Sequence, residues 1–94
     1  MEQHVEIPVV GAPNLGLLNS AIVSVQRTSS TTTVIRFLSP IILTLTHGAD
    51  SVAASVQEAI NNARYNLAKA GQKPLNKQTV VPPGSVTITA AVFS

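Results

Sequence analysis

Only one segment of this chain repeats its apolar residues at helical spacing. Val52, Val56, Ile60, Ala63 and Leu67 fall four, four, three and four apart and share one face, with Ser51, Ser55, Glu58, Asn62, Tyr65 and Lys69 opposite. Asp50 or Ser51 before it offers an oxygen to the first free amides. Gly71 and Pro74 after it end the pattern, so a single helix is predicted over 51–70. The rest must be strand or turn. Ala21–Arg27 and Thr31–Leu38 are β-branched and roughly alternating around Thr28-Ser29-Ser30, and Ile41–Thr46 follows the Ser39-Pro40 break. These three form an antiparallel meander. Gln78–Val81 and Val86–Phe93 read as two further strands around Pro82-Pro83-Gly84. Residues 1–19, interrupted by Pro8, Gly11, Pro13 and Gly16, read as an extended arm in which Val5–Val10 pairs at an edge.

The expected fold is therefore mainly β: an arm over 1–19 and one domain over 20–94, whose five antiparallel strands, with a helix between strands three and four, either close a small barrel or form a sheet covered on one face by the helix; the barrel removes most edges and is the expectation. Ninety-four residues leave room for one small core, and the absence of cysteine removes disulfides and thiolate metal sites as supports. Charged residues are 11% and hydrophobic residues 45%, so much apolar surface would face water on a lone subunit. A homo-oligomer, cyclic in the simplest case, is expected to hide it. Glu2 and Glu6 stand where a signal peptide would be basic, and the longest apolar runs are far below the roughly 20 residues a bilayer needs. The expected location is the cytoplasm, or a particle assembled inside a cell such as a virion.

Chemistry is sparse. His4 and His47 are far apart with few acids near them, which argues against zinc or iron, and no cofactor is expected. The run Thr46-His47-Gly48-Ala49-Asp50-Ser51 joins a histidine, a carboxylate and a hydroxyl, but no nucleophile elbow accompanies it and Asp50 is read as a helix cap. The chain is not expected to be an enzyme. Arg64, Lys69, Lys73 and Lys77 lie within fourteen residues free of acids, a positive strip that either holds nucleic-acid phosphates or, with Lys69 complementing the helix dipole, solubilises a loop; Arg27 and Arg36 are additional contacts or cap a sheet face against water, and Tyr65, one residue from Arg64, is a thin stacking platform read more simply as structural. Single-stranded RNA or DNA is the expected partner besides the chain itself. A structural or scaffold role in a phage virion is the alternative, with the arm reaching a neighbouring subunit.

Over residues 20–94 the element order, with its helix in the third-to-fourth strand connection, resembles the Sm-like (LSm) proteins, including small ones of marine metagenomic, cyanophage-type origin. The family's base-binding loop would fall at Leu38-Ser39-Pro40, and its second signature, an Arg-Gly or similar pair, at Val81–Ser85, where only Gly84 corresponds. No binding residue carries over. The resemblance implies a ring built by pairing the fourth strand of one subunit with the fifth of the next, with RNA or DNA as ligand.

Overall fold

The computed structural model describes residues 3–69, 77–84 and 86–94. Among them are seven strands, one α-helix and a single 3-10 turn over Asn19–Ala21: β1 (His4–Ile7), β2 (Leu15–Leu18), β3 (Ile22–Ser29), β4 (Thr32–Phe37), β5 (Ile42–His47), α1 (Val56–Lys69), β6 (Lys77–Thr79) and β7 (Ile88–Phe93). They form a three-stranded sheet in the order β2-β1-β6 and a four-stranded sheet in the order β3-β4-β5-β7. The mainly β character with one helix is as expected. The barrel is not: among the described residues the two sheets do not close on each other, the strands number seven rather than five, and the helix follows the fifth strand.

The extra strands come from the segment read as an arm. Val5, Ile7 and Leu17 are buried, and β1 is the central strand of its sheet, antiparallel to β2 and parallel to β6, not an edge. Pro8, Gly11 and Pro13 sit in the β1–β2 connection, where Gly11 takes a positive φ of 78°. The punctuation that suggested an open arm serves a hairpin instead. Likewise, β6 and β7 flank Pro82-Pro83-Gly84 but do not pair with each other. β6 goes to β1 and β7 to β5.

The meander forms as expected, with Ile35 opposite Leu43 and Val25. Leu43, Leu45 and Ile35 point inward at zero exposure and meet Val5, Ile7 and Leu17 of the other sheet. Helix α1 packs on β1, β3 and β6 through Val56, Ile60, Ala63 and Leu67, closing this single core. Its start differs from the reading. Residues 51–54 form a turn in which the Ala54 amide donates to the Ser51 carbonyl, and Val52, expected on the helix face, is 79% exposed. Ser55 is the N-cap, its Oγ accepting the Glu58 amide at 3.0 Å, as in a Ser-x-x-Glu capping box. Gly71 and Pro74, expected to end the helix, lie outside the described residues.

Candidate functional site

The two ends of the four-stranded sheet differ in chemistry. At one end the inner face carries Arg27, Thr33 and His47 beside the start of α1. Arg27 Nε donates to Asp50 Oδ1 at 2.7 Å and its Nη2 to the Asp50 carbonyl at 3.2 Å. Asp50 Oδ2 accepts the Val56 amide at 2.9 Å, so Asp50 does satisfy the helix start, from outside the helix. Its side chain has no exposed surface, and burial alone would raise its pKa. The Val56 amide, the Arg27 guanidinium and, more weakly, His47 outweigh this and hold the carboxyl below its ordinary range.

His47 is buried, with Nδ1 2.8 Å from the Gly48 carbonyl and Nε2 2.9 Å from Thr33 Oγ1. Because a carbonyl only accepts, Nδ1 carries the hydrogen, and the second ring nitrogen, Nε2, shares a hydrogen bond with the Thr33 hydroxyl. Hydroxyl, imidazole and carboxylate thus stand in a row, with His47 Nδ1 and Asp50 Oδ2 4.0 Å apart. Thr33 and the side chains of His47 and Asp50 are sealed from solvent. In this conformation no substrate reaches the hydroxyl, and the row ties β4, β5 and the helix start together.

The expected basic strip is only partly assembled. Arg64 does not project freely: its Nε donates to Asn19 Oδ1 at 3.0 Å and its Nη2 to the Ile22 carbonyl at 3.2 Å, clamping α1 to the entry of β3. Arg27 is committed to Asp50. Lys77 lies 3.8 Å from Glu6 across the β1–β6 pair and stays largely exposed. Lys69 is the last residue of α1, and Lys73 lies outside the described residues. Arg36 is exposed on the outer face of β4, with no ion-pair partner among the described residues. Tyr65 is on the exposed side of α1. The described cations are therefore spread over different faces, and two of them are structural.

At its other end the four-stranded sheet is apolar. A groove of about 450 Å³ runs between the end of β2 and the end of β7, lined by Leu17, Leu18, Phe37, Ile41 and Phe93 among others and, among the described residues, by no charged one. The Phe37 and Phe93 rings are tilted against each other with centroids 6.2 Å apart. Leu38 is 76% and Phe93 52% exposed beside it. Sequence reading missed this surface. Its one signal was Phe93, a large apolar residue on the side of the 86–93 alternation otherwise occupied by Thr87, Thr89 and Ala91.

A bulge opposite Thr46 and His47 explains the outcome. It shifts the register so that Ile88 points inward and Ala91 and Phe93 share that face, leaving Val92 outside and 59% exposed. Among the described residues no group of three or more His, Cys, Asp or Glu is placed to hold a metal ion, and no helix is long and apolar enough to cross a membrane. Compared with known protein families, curated proteins and solved structures, the chain matches none.

Proposed function

We propose that this chain is a non-enzymatic, self-assembling protein whose working form is a homo-oligomer, a structural or scaffold component rather than a catalyst. One observation carries this reading. Of the exposed apolar side chains, Ile41 and Phe93 line the uncharged groove, Leu38 follows Phe37 of its lining, and Val92 neighbours Phe93 on the outer face of the same strand. The polar constellation at the opposite end is spent on holding the fold. A lone subunit would keep that apolar surface in water, and a shared interface removes it. Sedimentation velocity across a hundredfold range of micromolar concentrations tests the reading. An oligomer at the upper end supports it, and a monomer throughout overturns it.

A second reading, that the oligomer holds RNA or DNA without catalysis, is favoured by Arg36. This exposed cation stands on the outer face of β4, between Ser24 of β3 and Ile42 of β5. Repetition of Arg36 and Lys77 in an oligomer supplies the phosphate contacts. Binding of single-stranded RNA or DNA that weakens with salt and is lost in Arg36→Glu/Lys77→Glu supports it; absence of binding at low salt ends it.

A further inference from the structure

The two margins of the four-stranded sheet are built differently. On β3 there are bulges at Ile22/Ser24 and Arg27/Ser29, and the outward amide of Arg27 is taken by Gln57 Oε1 of α1 at 2.7 Å. Both are ways to protect an edge. On β7 the start alone is covered, by the Val10 amide on the Ile88 carbonyl at 2.9 Å. Ser94 and Ile42 exchange both backbone hydrogen bonds, at 2.9 and 3.1 Å, which fixes the parity of the ladder. Val92 and Ala90 therefore spend their amides and carbonyls on Thr44 and Thr46, and those of Ala91 and Phe93 point away from β5. No other strand pairs with this margin among the described residues. The strand Ile88–Phe93 carries no charge to repel another strand.

We infer that the outer margin of β7 is the interface between two copies of this chain, which pair antiparallel about a two-fold axis at Val92. This rests on the self-assembly reading and names its surface. The pattern is self-complementary. With Val92 opposite its own copy, Ala91 of one subunit faces Phe93 of the other in a hydrogen-bonded pair, and the reverse pair completes four backbone bonds. The two Val92 side chains meet at the closer, non-bonded position, where Cα atoms lie about 4.5 Å apart. Phe93 then lies opposite the small Ala91 of the partner copy. The result is one sheet of eight strands. The apolar surface around Phe93 extends the contact toward the roughly 800 Å² per subunit that a stable pair needs.

Two substitutions test this. Ala91→Pro removes an outward amide that β5 does not use, a place where proline is tolerated on an edge strand. It is expected to leave the subunit folded by circular dichroism and to weaken self-association about 100-fold. Val92→Cys introduces the only cysteine in the chain, at a pair spacing within disulfide reach. Mild oxidation is expected to give a covalent dimer and nothing larger, whereas Val23→Cys on the β3 margin gives none. A native oligomer insensitive to Ala91→Pro, with no Val92→Cys dimer, overturns the interface and leaves self-assembly standing. Should Ala91→Pro not fold, the Val92→Cys result decides alone. A native ring of three or more subunits without the Val92 cross-link also overturns it, and a monomeric wild type removes both proposals.

Discussion

Replacing Asp50 with alanine should be among the most damaging single changes in this protein, although no catalytic role is assigned to it. The carboxylate has no exposed surface and holds two partners, the Arg27 guanidinium at 2.7 Å and the Val56 amide at 2.9 Å. Breaking a buried pair by removing one member costs about 3–5 kcal/mol, because the other charge stays behind. Here Arg27 is 20% exposed and keeps its 3.2 Å bond to the Asp50 carbonyl, so its share falls at the lower end. An unsatisfied helix-start amide adds about 1 kcal/mol. The expected total is about 3–4 kcal/mol out of the roughly 5–15 kcal/mol typical of a whole domain. For a chain of this size that lowers Tm by about 15–25 °C.

Urea unfolding of wild type, Asp50→Ala, Arg27→Met and the double variant measures it. In the Arg27→Met background the Asp50 change should cost about 1–2 kcal/mol less, since no guanidinium is then stranded. A cost below about 1 kcal/mol, or the same cost in both backgrounds, refutes the reasoning. The pH dependence has a definite sign. Because the folded carboxyl titrates below its unfolded value near 4, the unfolded chain takes up the proton first. The stability advantage of wild type over Asp50→Asn is therefore full above about pH 5 and shrinks as pH falls through the folded pKa.

Three further outcomes are expected. Ile35→Ala, at zero exposure on a strand paired on both sides, should cost about 2–5 kcal/mol in urea unfolding, from lost burial and the cavity left behind. Ser55→Ala removes the acceptor of the Glu58 amide and should cost about 1 kcal/mol, read as a Tm fall of about 4–8 °C. Gly84→Ala should destabilise by about 1 kcal/mol because its φ is +56°, whereas Gly16→Ala, equally free of steric contact but without positive φ, should cost measurably less in the same assay.

The meander and the apolar face of α1 were legible because their periodicities are local: β-branched alternation over 21–46, and four- and three-residue spacing from Val56 to Leu67. What was not legible depends on partners distant in sequence. His4-Val5-Glu6-Ile7 alternates well, but its central place comes from Leu17 on one side and Gln78 on the other. The helix start was misplaced because Val52 fits the apolar period, while the Ser55 cap and the turn at 51–54 decide where the helix begins. The basic strip dissolved for a similar reason. Arg64 finds Asn19 and Ile22 across the fold, a use that clustering along the sequence does not reveal. Phe93 reached the groove only because a bulge turns it there.

The unequal margins of the four-stranded sheet also set how far lateral growth can run. A ribbon whose two sides are both bare recruits neighbours without end and becomes a fibre. On this sheet β3 is bulged twice and tethered to Gln57 of the helix, so under the proposed pairing a newcomer docking on β7 would bring a blocked flank of its own, and extension through the sheet plane would stop at two. Removing that stopper, by straightening β3 and freeing the Arg27 amide, would turn a terminating contact into a propagating one.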